Sequence, residues 1–280
     1  MVFSSLLFLF RFLPAAFLAY YLTPKKCKNL TLLIVSLIFY SWGEVRYFPI
    51  MLSIILVNYL AGLGIGRWRG HRKLCRGILA VSVVFSVGFL AFFKYSNFLL
   101  MNLNVLFGTS FPMLEVTKNL PLGISFYTFQ IMTYTIDVYF HKIEVERNII
   151  DFGTFVVLFP QLIAGPIVKY SDINRELKDR QITLDAIQDG IALFIFGLGS
   201  KVLLANNIGA LWTEVESAGF TNLSTAGAWL ALSAYALQIY FDFSGYSLMA
   251  IGMGRALGFH FPQNFNYPYV SRSLTEFWRR

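Results

Sequence analysis

The stretch LQIYFDFSGYSLMAIGMGRALGFHFPQNFNYPYVSRSLTEFWRR (237–280) decides what kind of fold this chain can have. It opens strongly apolar, yet carries one carboxylate, Asp242, followed at once by Ser244, Gly245 and Tyr246. A carboxylate inside a lipid-length apolar run is costly, and such groups mark functional sites by default. Beyond the run the sequence turns aromatic and basic, NFNYPYVSRSLTEFWRR, as segments do that dip into an interface or a protein cavity.

The composition around this stretch points the same way. Of 280 residues, 56% are hydrophobic, 18% aromatic and only 14% charged, with a mean hydropathy of +0.60. Soluble domains carry about a quarter charged residues, so the chain is built for lipid. The net charge of +8 is concentrated in short loops, which fits the positive-inside rule and not a nucleic-acid-binding face. Cys27 and Cys75 both lie in basic loops without metal-ligand or redox spacing, so no disulfide is expected. The opening run carries Arg11 within it, lacks a basic leader and is followed by further apolar stretches, so it reads as a first membrane helix.

A span needs ~20 mostly apolar residues. Candidate segments are 3–22, 29–42, 47–66, 77–93, 96–110, 121–140, 150–168, 187–206 and 224–253, which predicts an all-α polytopic membrane protein with roughly seven to nine transmembrane or re-entrant helices. Lys25, Lys26 and Lys28 form one basic cluster and RWRGHRKLCR (67–76) another. Two spans lie between them, so both clusters fall on one side, which the rule assigns to the cytoplasm. KYSDINRELKDR (169–180) is expected to lie along the interface, with Trp42 and Trp68 as interfacial anchors. Residues 1–280 read as a single membrane-embedded domain, with no repeat and no linker.

Three further segments set polar groups, glycine and proline in apolar surroundings. In LPLGISFYTFQIMTYTIDVY (120–139), Gln130 and Asp137 stand two helical turns apart on one face, with Ser125, Thr128, Thr133 and Thr135 adding hydroxyls. Two readings stay open: hydrogen bonding between helices, or the lining of a polar passage. In FPQLIAGPIVKYSDI (159–173), Pro160, Gly165 and Pro166 forbid a continuous helix, and a re-entrant loop or half-helix is expected. In FGLGSKVLLANNIG (196–209), Lys201 reads as a snorkelling interfacial lysine and Asn206 and Asn207 as caps of a following turn.

In order, MVFSSLLFLF, FYSWGE (39–44), LPLGISFYTFQ, FPQLIAGPI, GLGSKVLLANN, YFDFSGYSLMAIGMGR and FPQNFNYPYVSRSLTEFWRR resemble the membrane-bound O-acyltransferase family, specifically its bacterial alginate O-acetyltransferase branch. The resemblance covers the whole chain. It implies a multi-pass protein of the bacterial inner (cytoplasmic) membrane that O-acetylates an exported polysaccharide such as alginate. It further implies an acyl donor such as acetyl-CoA or another thioester, no bound cofactor or metal, a periplasmic or extracellular acyl-relay transferase and a polysaccharide acceptor as partners, and no nucleic acid.

In the family, the Phe-Trp-Arg-Arg motif matching 277–280 runs on into Trp-His, and that histidine is the expected catalytic residue. On this comparison the chain is C-terminally truncated, with more spans to follow, and inactive by itself. His71, His141 and His260 are not expected to substitute. Gln130, Asp137, Gln238, Asp242, Ser244, Tyr246, Trp278 and Arg279 are the candidate tunnel or supporting residues. Leu248 stands where the alginate branch is expected to carry an aspartate, which keeps a D-alanyl transfer-type member as an alternative. A non-catalytic membrane subunit and a transporter or flippase component also stay open.

Overall fold

The computed structural model describes residues 3–117, 120–163, 165–220 and 223–280; Ala164, in the proline-broken stretch, lies outside the described residues. The described residues are helical, with no strand among them. Three helical stretches are long and apolar enough to cross a membrane: Lys25–Arg67, Arg72–Phe107 and Leu184–Ala218. The chain divides into two compact units, one of Met1–Leu22, Ala164–Val168 and Lys178–Arg280, the other of Thr23–Ile163 and Lys169–Leu177.

The second unit contains α2 (Lys28–Glu44), α3 (Phe48–Arg67), α4 (Arg72–Phe107), α5 (Ile124–Tyr139), α6 (Ile149–Val157) and α7 (Tyr170–Lys178). Between α2 and α3 the backbone leaves the helical region at Glu44 (φ −141°, ψ 47°) and makes a single 3₁₀ turn. Both helices then meet the short α6: Thr154 Oγ1 donates to the Asn29 carbonyl of α2, and Tyr59 of α3 packs on Phe152 with ring centroids 5.5 Å apart. The first turn of α2 and the far half of α3 therefore share one end, which brings the basic clusters 25–28 and 67–76 to the same end of the unit. The amphipathic α7 closes that end, with Leu177 accepting from Asn29 Nδ2 at 2.7 Å and Tyr170 donating to Glu146.

Candidates 77–93 and 96–110 are not two spans but one helix of 36 residues. FFKYSN (92–97), between them, contains charge but neither glycine nor proline, so nothing in the backbone stops the helix until Gly108 takes up φ +62°. The break expected near Pro160 is real. α6 has nine residues, about 14 Å at the rise of an α-helix and under half a bilayer core. Its ending frees the Phe155 carbonyl, because the Phe159 amide turns away to Ser36 Oγ. Gln130 Nε2 (3.0 Å) and Gln161 Nε2 (2.6 Å) supply the lost donors. Unsatisfied backbone is tolerated at membrane depth only where protein completes its hydrogen bonds, and here two side-chain amides do so.

The centre of this unit is Asn58, fully buried on α3. Its amide nitrogen donates to the Ile54 carbonyl and to Ser86 Oγ, and its oxygen accepts from Ser82 and Thr135, so one amide ties α3, α4 and α5 with its hydrogen-bonding capacity filled. Thr135 and Gln130 of α5 thus serve bonding between helices, the first of the two readings of that face.

The other unit contains α1 (Leu13–Leu22), preceded by a π turn at Phe8–Phe12, then α8 (Leu184–Gly199), α9 (Asn206–Ala218), α10 (Thr225–Ala256) and α11 (Leu274–Arg279). α8 and α9 are joined through a π turn at Ser200–Ala205, so Asn206 and Asn207 cap nothing: the helix does not stop there, and Asn207 Nδ2 bonds back to Leu203. After the loop at Gly219, Ser224 Oγ accepts from the Gly227 amide and starts α10.

α10 returns antiparallel to α8 in a glycine seam. A Cβ placed on Gly190 would lie 2.6 Å from the Gly252 carbonyl oxygen, and one on Gly197 would lie 2.5 Å from that of Gly245. The seven-residue spacing on both helices lets the backbones touch at two levels. In lipid, where burial of apolar area does not draw helices together, such close packing is what associates them.

Candidate functional site

The glycine seam positions Asp242. One turn before Gly245, its carboxylate projects toward the π turn of the facing helix and meets Lys201, with Lys201 Nζ 2.5 Å from Asp242 Oδ1. The two side chains retain 20% and 39% of their exposure respectively, so the pair is only partly shielded. The lysine read from sequence as snorkelling alone is the counter-ion of the carboxylate. A π turn adds a residue to the helical repeat and redirects the side chains beside it, and such turns recur at functional sites.

Around the pair, α10 supplies the other predicted residues. Gln238, one turn before Asp242, packs against Gly209 of α9, and its buried Oε1 has no hydrogen-bond donor among the described residues. Ser244 Oγ donates to the Tyr240 carbonyl at 2.6 Å, a local bond that leaves no hydrogen for a ligand. Tyr246 is 9% exposed, stacks on Phe3 at 4.3 Å and buries a hydroxyl with no partner among the described residues. Three buried polar atoms on this helix, Gln238 Oε1, the Tyr246 hydroxyl and Arg255 Nε, thus have no hydrogen-bond partner among the described residues, which buried polar groups seldom tolerate. Leu248 packs beside Gly197 in the seam, an apolar position.

The 261–280 segment folds back along the same helix. Asn264 pairs with Ser247, the Tyr269 hydroxyl donates to the Ala236 carbonyl at 2.9 Å, and Tyr269 lies 5.6 Å from Tyr240. Phe277 of α11 stacks on Tyr269 at 6.5 Å, so α11 is anchored to the middle of α10 through Phe277. The strap is closed by the Asn266 amide donating to the Arg280 carbonyl. α11 is capped by Ser273 Oγ, which accepts from the Glu276 amide, while Glu276 accepts from the Arg272 amide and from Arg280 Nε. The Arg272 amide, first, and the Arg280 guanidinium hold the Glu276 carboxyl below its ordinary range. Trp278 is 82% exposed and Arg279 is exposed, so neither reaches the Lys201–Asp242 pair.

Gln130 and Asp137 belong to the other unit: Gln130 is committed to Phe155, and Asp137 pairs with Lys142 at 3.5 Å. The sequence reading missed Glu146 in that unit, which is 4% exposed and accepts from the Tyr170 hydroxyl and the Asn148 amide. Burial, then the Glu146 hydrogen bond, pushes the Tyr170 phenol well above its ordinary value. It also missed the Ser247–Asn264 and Tyr269–Ala236 ties. The 17- and 33-residue separations cross a turn whose course no periodicity reports. The Lys201–Asp242 pairing was not readable either, because Lys201 shares its continuous helix with Asp185, Asp189, Glu214 and Glu216, and α10 carries Arg255 as well as Asp242.

No group of three or more metal-ligating side chains occurs among the described residues. His71, His141 and His260 are exposed.

Residues 6–280 match the membrane-bound O-acyltransferase family (MBOAT). The chain is 43% identical to a probable alginate O-acetylase, AlgI, of Pseudomonas aeruginosa, over 100% of this chain and 54% of that protein. It is 34% identical to a peptidoglycan O-acetyltransferase of Helicobacter pylori, over 100% of this chain and 58% of that protein. To a teichoic acid D-alanyltransferase of Bacillus subtilis it is 27% identical over 57% of this chain and 41% of that protein. The chain spans about half the length of the curated relatives it matches.

Proposed function

The chain belongs to the membrane-bound O-acyltransferase family, and from that membership we propose that it forms part of an O-acetyltransferase acting on an exported polysaccharide such as alginate. The observation that carries this reading is the alignment of the entire chain with alginate O-acetylases at 41–43% identity, against 27% over little more than half of it for a D-alanyltransferase. In this reading both units belong to one membrane domain of seven to nine spans and re-entrant helices in the bacterial inner membrane, with the shared basic end of α2, α3 and α4 facing the cytoplasm.

Acetyl transfer from a thioester breaks a C–S bond and forms a C–O ester. The acceptor hydroxyl must surrender its proton to a base, and the thiolate leaves. The base is the histidine that the resemblance places next to the motif of Phe277–Arg280. The anchoring of α11 on Tyr269, and of Tyr269 on Tyr240 and Ala236, supports a reacting centre near the middle of α10. There the Gln238 oxygen and the Tyr246 hydroxyl would meet the donor or acceptor, and Asp242, fixed by Lys201, would orient them. An acyl-relay transferase outside the membrane passes the group to the polysaccharide.

The test is transfer of radiolabelled acetyl from acetyl-CoA, supplied on the cytoplasmic side, to alginate outside, in membranes carrying the complete protein and its relay partner. Labelled alginate is the expected product. Label on a teichoic acid or peptidoglycan instead would reassign the acceptor, and no labelled glycan of any kind would contradict the reading.

A further inference from the structure

At the basic end of the Thr23–Ile163 unit a half-open cavity of about 1100 Å³ lies between the end of α3, the start of α4 and the end of α5. Its wall carries Arg69, Arg72, Lys73 and Arg76, with His141 opposite, while Ile65 and Leu79 belong to its apolar part. Arg69 alone of the four cations has an ion-pair partner among the described residues, Glu144 at 3.4 Å, whose side chain is 91% exposed. A second cavity of about 720 Å³ shares Arg69 and adds Arg67 and Arg147. Together they surround the α3–α4 turn with cations.

His141 supplies a second observation. It ends α5 in the left-handed region, φ +58°, where a residue with a Cβ is strained. The conformation turns the chain back at the cavity mouth, with the Lys142 amide closing on the Asp137 carbonyl at 2.9 Å. The depth of the cavity follows from its walls: α3 and α4 belong to the stretches long and apolar enough to cross a bilayer, and the cavity sits where one ends and the next begins. That is the level of lipid headgroups. Basic pockets between membrane helices hold anionic headgroups, while the apolar surface below accepts acyl chain.

We propose that this cavity binds the headgroup of an anionic phospholipid from the surrounding bilayer, its phosphate held by Arg72, Lys73 and Arg76 and its acyl chains running down the apolar surface beside Leu79 and Phe140. A bound lipid would fix the α3–α4 turn and hold this end of the unit at the membrane face.

The purified complete protein, stripped of lipid in neutral detergent, is titrated with phosphatidylglycerol or phosphatidylcholine and bound lipid is counted by native mass spectrometry. Phosphatidylglycerol is expected to bind about tenfold more tightly, given the attraction of each clustered cation for an anionic headgroup. Arg72→Gln should lower that preference about fivefold, whereas Lys94→Gln, which removes an equal charge from the far part of α4, should leave it unchanged. The wild-type titration needs no variant, so a misfolded mutant does not decide the result. Equal binding of the two lipids overturns the proposal. So does displacement of phosphatidylglycerol by millimolar inorganic phosphate or by coenzyme A, which would make the cavity a site for a soluble phosphate compound.

Discussion

The α8–α10 seam and the Asn58 centre solve the same problem by opposite means. Each must hold apolar helices together where lipid is as apolar as the side chains, so burial supplies little drive. The seam does it with shape: Gly190, Gly197, Gly245 and Gly252 remove side chains until backbones touch. The Asn58 centre does it with chemistry: one amide bonds to Ile54, Ser82, Ser86 and Thr135 across three helices. The seam is closed by backbone approach and the Asn58 centre by hydrogen bonds. Neither clamp uses every polar group of its helices: Gln238 Oε1, the Tyr246 hydroxyl and Arg255 Nε on α10, and the Tyr127 and Thr128 hydroxyls on α5, are buried without a hydrogen-bond partner among the described residues.

The comparison breaks first at the seam. Gly197→Leu must displace the backbone of α10, because even its Cβ would stand 2.5 Å from the Gly245 oxygen. We expect a loss of about 3 kcal/mol or more, read as a failure of the chain to accumulate or a large fall in its unfolding midpoint in detergent. Retained stability would mean that the seam is not close-packed. Asn58→Leu takes the Asn58 partner from three hydroxyls, of which Thr135 keeps the Ile131 carbonyl, and is expected to cost about 1–2 kcal/mol by the same measurement, since hydrogen bonds between membrane helices are individually modest. Gln130→Leu, which leaves the freed Phe155 carbonyl with Gln161 alone, should cost about 1 kcal/mol and speed proteolysis near Pro160.

The pH responses are smaller and opposite in sign. Glu276 has a folded pKa below its ordinary value, so its hold on α11 is complete above the ordinary carboxylate value and disappears as pH falls through the lower folded one. Limited proteolysis at the 272–280 segment should therefore quicken in acid, and Glu276→Gln should remove the response. Tyr170 has a raised folded pKa, so its contribution is complete below the ordinary phenol value and is lost as pH rises beyond it. Tyr170→Phe should flatten that alkaline loss.

Membrane character, helical class and the half-helix before Pro160 were legible in the sequence because each follows from composition or from residues with fixed backbone consequences. So was the shared side of the two basic clusters, a matter of counting spans. The single α4 was not, since FFKYSN contains charge without any backbone breaker, and charge ends an apolar window without ending a helix. The π turn at Ser200–Ala205 was equally invisible, since SKVLLA contains neither glycine nor proline to mark it. At the site, Asp242 announced itself as a carboxylate within an apolar run, but its partner did not, because a lysine near the end of an apolar stretch has an adequate solitary explanation. The Asn58 centre was hidden for a related reason: serine and asparagine are ordinary in membrane helices until three of them converge.

The measurement that bears most directly on the account is acetyl transfer by the complete protein carrying Asp242→Lys together with Lys201→Asp, beside each single substitution and the wild type. The exchange keeps an ion pair across the seam and moves the carboxylate to the other helix. If Asp242 orients the reaction, the exchanged protein should reach wild-type abundance while its transfer remains at least tenfold reduced, within the range that a positioned group contributes. Restoration of full transfer by the exchange would show that the pair only holds α10 to its neighbour, and would contradict a reacting centre at the middle of that helix.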